Sequence, residues 1–158
     1  MVQIRLSPDL RVVSTGLKNL SEQLRGRIVN DTSQRIAEII EARTKQEVPV
    51  DSGRGRDSID AQVEQSTRGV SSRIVLTGNH YLKYVKEGTQ PHIIRPRNGR
   101  VLAWLNGNGS ITFAQSVMHP GQQANDFVSR AWASAEPDVR STLREAGLRA
   151  WRELSRFR

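Results

Sequence analysis

The 158-residue chain contains no cysteine. That absence excludes a disulfide scaffold, a Cys-ligated zinc or iron-sulfur centre, a thiol nucleophile and a thiol redox switch, and it permits a reducing compartment. Aromatic residues make up only 5% of the chain and do not interleave with the basic residues, so the stacking signal of a single-strand nucleic-acid binder is missing. Long apolar runs are missing too. The longest, Val101 to Leu105, falls far short of the roughly 18 residues that span a bilayer, and the opening residues Met1 to Arg11 lack the apolar stretch of a signal peptide. The expectation is a chain neither secreted nor membrane-spanning. Lysine is scarce: of 24 basic residues only 4 are Lys and 20 are Arg.

Against 16 acidic residues those 24 leave a net charge of +8 and a pI near 10.9. Arginine presents a planar fork of donors that suits carboxylates, phosphates and aromatic faces, so the skew fits an interface or a nucleic-acid contact. A genomic GC bias produces the same skew, and net charge argues about association and not about fold. The length predicts one domain, residues 1–158, able to bury about two-thirds of its unfolded surface.

Leu17, Leu20, Leu24 and Ile28 recur at helical spacing, and Thr32, Ile36, Ile39 and Ile40 extend the stripe, which predicts a helical region over 15–47 behind an N-terminal arm, 1–14. It is either unbroken or reset at Asn30-Asp31-Thr32, where three good capping residues adjoin. Pro49 ends it, because the residue before a proline avoids the α conformation. Asp51-Ser52-Gly53 then reads as a turn. Ile59, Ala61 and Val63 alternate with Asp60, Gln62 and Glu64 as in a half-buried strand, with Ile74 to Leu76 as its neighbour and Ser66 to Ser72 as the loop between. Tyr81 to Glu87 reads as one helical turn and Gln90 to Arg100, with Pro91, Pro96 and Gly99, as a loop.

From Val101 to Asn125 there is no Asp, Glu, Lys or Arg, and a stretch so free of charge is expected to be buried. Within it Asn106-Gly107-Asn108-Gly109 joins two apolar runs, Val101 to Leu105 and Ile111 to Val117, which is a strong hairpin signal. Ile111, Phe113 and Val117 are expected to share a face. After His119-Pro120-Gly121, residues Phe127, Ala131 and Ala135 open a helix that Pro137 is expected to interrupt, with Ser134 or Glu136 able to restart it. Val139, Leu143, Ala146, Ala150 and Leu154 form the stripe of the last helix. The predicted class is α+β: a long N-terminal helix, an antiparallel sheet of about four strands over 58–117 with a long central loop at 88–100, and C-terminal helices over 123–157.

Catalytic signatures are sparse. His80, His92 and His119 occupy unrelated sequence contexts, no nucleophile-base-acid set is readable, and no pair of histidines has metal-ligand spacing. A histidine before proline in a turn is more often structural. The segment Gly53-Arg54-Gly55-Arg56 is a weak candidate for cradling phosphate. Glu47, Asp51, Asp57 and Glu64 could gather around magnesium, although a turn suits Asp51, and Asp57 can pair with Arg54 or Arg56. Neither a cofactor nor a metal is predicted. The densest positive run is Lys83 and Lys86 followed by Arg95, Arg97 and Arg100, which can meet phosphate or an acidic partner.

Four strings, in order, resemble the neck and tail-completion proteins of long-tailed bacteriophages, a family often labelled minor tail component. Val48-Pro49-Val50-Asp51-Ser52-Gly53-Arg54 with Arg56-Asp57-Ser58-Ile59 is similar to that family's element after a long first helix. Tyr84-Val85 with Gly88-Thr89 is similar to the second string, and Pro91-His92-Ile93-Ile94-Arg95-Pro96 running to Val101-Leu102 to the third. Val117-Met118-His119-Pro120-Gly121 followed by Phe127 and Ala131 is similar to the fourth. The likeness spans about residues 45–133, and its order and spacing carry more than any one string. It departs at Gly55, where the family usually has Leu, and at Glu87, where it has an aromatic.

The resemblance implies an α+β, non-enzymatic virion protein assembled in the host cytoplasm, forming a ring, most simply of six subunits, where the DNA-filled head meets the tail. Adjacent roles as tail terminator or head-tail connector belong to the same reading. Its partners would be its own copies, other neck, connector and tail-tube proteins, and lumenal DNA without sequence preference. No membrane is involved. A ring requires two different complementary patches per subunit. Arg95, Arg97, Arg100, Lys83, Lys86 and His92 are the candidate interface or lumen residues. Pro49, Gly53, Gly88, Pro91, Pro96, His119, Pro120 and Gly121 are the candidate turn residues. The 88–100 loop, hinged at Gly88 and Gly99, is expected to reach out to a neighbour. A sequence-independent DNA-binding module and a magnesium nuclease are the alternatives from other classes.

Overall fold

The computed structural model describes residues 21–65 and 72–156. The arm at 1–14, the start of the predicted helical region at 15–20 and most of the 66–72 loop lie outside the described residues. In chain order the elements are helix α1 (Glu22–Glu47), helix α2 (Arg54–Asp57), strands β1 (Asp60–Gln65) and β2 (Ser72–Thr77), helix α3 (Leu82–Glu87), strands β3 (His92–Ile94), β4 (Leu102–Leu105), β5 (Ile111–Ala114) and β6 (Val117–His119), and helix α4 (Phe127–Ser155). Helix and strand are mixed as expected, but the single sheet of about four strands is not found. The described strands pair as three separate antiparallel ribbons, β1–β2, β3–β6 and β4–β5. The expected strand from Ile111 to Val117 breaks at Gln115-Ser116, and its last part pairs instead with a segment whose prolines predict a loop. The chain clusters into two compact units, one formed up to Leu82 together with Asp126 onward, the other by Lys83 to Asn125.

In the first unit α1 starts at Ser21, whose Oγ accepts the Leu24 N–H at 3.4 Å. It continues for 26 residues, about 39 Å of helix, through the Asn30-Asp31-Thr32 site without a reset. The reason is local. Thr32 and Ser33 donate their hydroxyls to the Ile28 and Val29 carbonyls at 2.6 and 2.7 Å, and such i−4 bonds let hydroxyl residues remain within a helix. Val48 is extended, at φ −67 and ψ 134, as a residue ahead of Pro49 must be.

Helix α4 runs for 29 residues from an Asp126 cap straight through Pro137, so the expected interruption does not occur. A mid-helix proline costs about 3 kcal/mol. On either side of it, however, Ala131, Ala135, Val139, Thr142, Ala146 and Ala150 bury one continuous stripe, and breaking the helix would expose half of that stripe. Pro137 itself lies on the exposed side. The two long helices pack together. Arg35 pairs with Glu145 at 3.6 Å, Arg43 with Asp138 at 2.8 Å and Glu47 with Arg130 at 3.1 Å, so numbers rise along α1 as they fall along α4 and the helices are antiparallel. Exposed ion pairs contribute at most about 1 kcal/mol each. The larger share comes from the seam of Ile36, Ala37, Ile40 and Thr44 against the alanine-rich stripe, since each large apolar side chain buried is worth about 1.5–3 kcal/mol.

The β1–β2 ribbon packs on α1 with the alternation expected from sequence: Ile59, Ala61 and Val63 inward or half-covered, Asp60, Gln62 and Glu64 exposed. Its tie to α1 is Glu41. One carboxylate oxygen accepts the Ala61 N–H at 3.1 Å and the other accepts Lys45 Nζ at 2.6 Å. The Lys45 hydrogen bond above all, aided by the Ala61 bond and opposed by partial burial, holds the Glu41 pKa below its ordinary value. Upstream, α2 forms after Gly53. Ser58 Oγ donates to the Gly55 carbonyl at 2.7 Å and accepts the Asn79 N–H at 2.9 Å, stitching α2 to the end of β2. A Cβ on Gly55 would run into the Tyr81 ring and sit 3.2 Å from Leu82. Glycine at this position is thus explained by Tyr81, which occupies the space a side chain would need.

Candidate assembly surface

The second unit is held by a clasp between two distant segments. Thr89 and Gln122 exchange backbone hydrogen bonds of 2.8 and 3.0 Å, and the Asn125 N–H donates to the Val85 carbonyl at 3.0 Å. From there β3 and β6 pair in the register His92↔His119, Ile93↔Met118, Ile94↔Val117. The expected loop at 88–100 is therefore corrected: its first half is pinned and partly strand, and only the stretch after Ile94 is unpaired in a ribbon. Gly88 is no hinge. It sits at φ 73, and a Cβ there would lie 2.6 Å from the Gln122 carbonyl oxygen and 2.7 Å from the Ala124 nitrogen. At Gly121, with φ 85, a Cβ would run into the Thr89 carbonyl oxygen and lie 3.0 Å from backbone atoms of Gln90 and Pro91. Two L-residues with side chains could not meet here, so glycine is required on both sides of the clasp. Gly99 has no positive φ, and a Cβ on it would find its nearest neighbour 3.6 Å away, so the backbone there does not require glycine.

The clasp brings together His92 and His119, whose sequence contexts do not connect them. Their rings stack at 5.0 Å between centroids and 28° between planes. His119 Nδ1 accepts the Gly121 N–H at 3.0 Å, and His92 Nδ1 lies 2.9 Å from the Gln90 carbonyl. A readable signal does exist. His119 precedes Pro120, and a residue preceding proline is biased to extended backbone, the conformation His119 has in β6; His92 follows Pro91 and carries no such signal. His80 belongs elsewhere, edge-on to Tyr81 at 6.5 Å.

The β4–β5 hairpin forms as predicted, in the register Leu102↔Ala114, Ala103↔Phe113, Trp104↔Thr112, Leu105↔Ile111. Its turn closes with Gly109 N–H to the Asn106 carbonyl at 2.8 Å and Asn106 N–H to the Ser110 carbonyl at 2.8 Å. Only Gly109 of the four turn residues has positive φ, 80°, so this is a type I turn completed by a left-handed glycine, and not the Asn-Gly type I′ form.

Burial of the uncharged stretch is overturned. Directly opposed residues share a face, so one face of the ribbon carries Leu102, Trp104, Thr112 and Ala114, and the other Ala103, Leu105, Ile111 and Phe113. The first is mostly half-covered. The second, the more apolar, stands open: Leu105 is 71% exposed, Ile111 60% and Phe113 64%. In the β3–β6 ribbon the pair Ile93 and Met118 is likewise exposed, at 51% and 64%. A two-stranded ribbon has two faces and this unit supplies no second layer to cover both, which is why freedom from charge does not translate into burial. Val117 lies in a different ribbon from Ile111 and Phe113 and shares no face with them.

Arg95, Arg97 and Arg100 follow β3, all exposed and without an ion-pair partner among the described residues. Lys83 stands 3.9 Å from Glu87 on α3, and Lys86 is half-buried. Pro91 is exposed and Pro96 half-covered. The carboxylates considered for magnesium are not gathered: Glu47 is engaged by Arg130 and Asp57 by Arg56 at 2.9 Å. Among the described residues no three His, Asp or Glu side chains are grouped to hold a metal ion, and no helix is long and apolar enough to cross a membrane. The Gly53 to Arg56 segment is one turn of helix whose buried glycine packs on Tyr81. Compared with family models, curated proteins and solved structures, the chain matches none.

Proposed function

We propose that this chain is a structural subunit of the head-tail junction of a long-tailed bacteriophage, a non-enzymatic neck or tail-completion protein acting as a ring, with the tail terminator and connector positions as the adjoining forms of the same role. One observation carries the reading: three strings that resemble the family, separated in sequence, converge on one clasp. Gly88-Thr89 bonds to Gln122, Pro91-His92-Ile93-Ile94 pairs with Val117-Met118-His119, and Gly121 fits where only glycine can. Their spacing is thereby given a physical cause. An open apolar ribbon, with arginines in the same unit that are exposed and without an ion-pair partner among the described residues, adds surfaces suited to assembly.

Mass photometry of the purified protein, alone and mixed with tail-tube or connector proteins, tests this. A discrete oligomer near six subunits, or joining to one of those partners, is expected. A chain that remains a lone monomer within assembled virions contradicts the reading.

The three exposed arginines favour a second reading, sequence-independent DNA binding, in which the isolated monomer binds duplex tightly and salt-sensitively. In the ring reading the same arginines face acidic protein or lumenal DNA only after assembly.

A further inference from the structure

We propose that the open face of the β4–β5 ribbon, Ala103, Leu105, Ile111 and Phe113, is the contact through which one copy of this chain binds a second copy. In an ordinary half-buried ribbon the apolar side chains turn inward and the polar ones face water. Here the face whose residues are all apolar, Ala103, Leu105, Ile111 and Phe113, is the more exposed one. The strands also lack the devices that protect free ribbons: between Val101 and Ala114 there is no charge and no proline, whereas exposed edges are usually blunted by lysine, proline or a bulge.

Charge selects the occupant. The chain carries +8, so two copies repel wherever their basic surfaces approach. The 25 residues from Val101 to Asn125 are the long stretch without Asp, Glu, Lys or Arg, and a contact made there brings no like charges together. An acidic protein or DNA would instead be drawn to Arg95, Arg97 and Arg100 in the same unit, because ion pairing and counterion release reward those residues and not an uncharged face. The apolar face is left as the place where like-charged copies meet. The choice of a second copy rests on the multi-copy reading above; the exposure of the face does not.

The experiment is native mass spectrometry and light scattering of the full chain across protein concentration and salt, with Leu105→Asp, Phe113→Asp and, as control, Gln115→Asp, which adds the same charge beyond the end of β5. Self-association of the unaltered chain should tighten as salt screens the repulsion. Each of the two face variants should weaken it about thirtyfold or more, with an unchanged thermal melt, and the control should not. Because the chain has no native cysteine, Phe113→Cys offers a second readout: its thiol should lose reactivity toward maleimide as the oligomer forms. Assembly unaffected by the face variants, an equal loss in the control, a thiol equally reactive in monomer and oligomer, or an unaltered chain monomeric at every concentration overturns the proposal. A closed pair of copies broken by Phe113→Asp upholds this interface and sinks the ring reading. A ring of six that survives it does the reverse.

Discussion

His92 lies stacked on His119, the ring centroids 5.0 Å apart, with His119 Nδ1 accepting the Gly121 N–H. The pair closes a clasp between segments nearly thirty positions apart, and the acceptor role of His119 makes a specific demand. His119→Ala removes the acceptor and leaves a backbone N–H at a tight turn unpaired, a loss of about 1 kcal/mol or more. Hydrogen exchange should report faster exchange at Gly121 and across β3 and β6, with α1 and α4 unchanged. His119→Asn, whose side-chain oxygen can occupy nearly the same place as Nδ1, should recover most of the protection. Equal exchange in the alanine variant and the unaltered chain would show the bond to be incidental.

Glycine replacements should form a graded series. Gly88→Ala meets both a left-handed backbone and two backbone atoms under 3 Å, and should cost about 2 kcal/mol or more. Gly109→Ala has the same backbone demand at φ 80 but open space around it, so about 1 kcal/mol is expected. Gly107→Ala meets neither obstacle and should be neutral. Urea unfolding gives the three values, and an order other than this one would show that the clasp yields where the geometry says it cannot.

How much of the fold is legible in the sequence follows from the range of the interactions. Elements fixed by local chemistry are readable: α1 stopped by Pro49, the alternating strand after Ile59, the short helix before Gly88, the hairpin around Asn106 to Gly109. What is not readable depends on what lies opposite a segment. Residues 92–94 carry too little pattern to announce a strand, and only the exchange between Thr89 and Gln122 sets them beside β6. Pro137 is a breaker by propensity, overruled because its helix buries alanines on both sides of it. The uncharged stretch looks like core in the sequence, but freedom from charge predicts burial only when a layer exists to do the covering. Of the candidate site residues, the extended backbone of His119 follows from Pro120, whereas the partnership of the two histidines and the close quarters at Gly88 and Gly121 arise only where the two distant segments meet.

Acid should act on Glu41. Its carboxylate is held below the ordinary pKa, chiefly by Lys45 and also by the Ala61 N–H. A depressed folded-state value means the unfolded chain takes up the proton first as pH drops, so this contribution is complete above the unfolded value of 4.5 and is lost as pH falls through the lower folded value. Glu41→Gln should therefore lower stability at neutral pH and flatten its decline below about pH 4.5. Urea midpoints at pH 7 and in a series down to pH 3 would check it. Parallel curves for the two proteins would mean that Glu41 keeps the same proton affinity folded and unfolded.

Pro137→Ala should stabilise the chain. The proline lacks an N–H for the Ala133 carbonyl and sits exposed in an unbroken helix, so alanine supplies the missing donor and removes the ring clash. Part of the roughly 3 kcal/mol penalty of a helix-interior proline should be regained, with about 1 kcal/mol as the minimum because the backbone has already adapted. A loss of stability would indicate that the proline ring packs in a way its exposure does not reveal.

Replacing Arg95, Arg97 and Arg100 together by alanine separates what the basic segment meets. The three are exposed and unpaired among the described residues, so removing them should leave the thermal melt within about 0.5 kcal/mol of its starting stability. Function should respond in one of two measurable ways. If the proposed head-tail role holds and the segment meets acidic protein there, the variant subunit folds and self-associates but fails to join heads to tails, because desolvated arginine forks are worth more than the 0 to about 1 kcal/mol of exposed pairs. If it meets duplex DNA, the slope of log affinity against log salt should shrink by about 2.7, three phosphate contacts at about 0.9 each. The open apolar face carries no charge, and losing three positive charges only lessens the repulsion between copies, so self-association that is kept or tightened serves as the internal control. Normal joining together with an unchanged salt slope would reduce the three arginines to solvated surface and remove them from the candidate site.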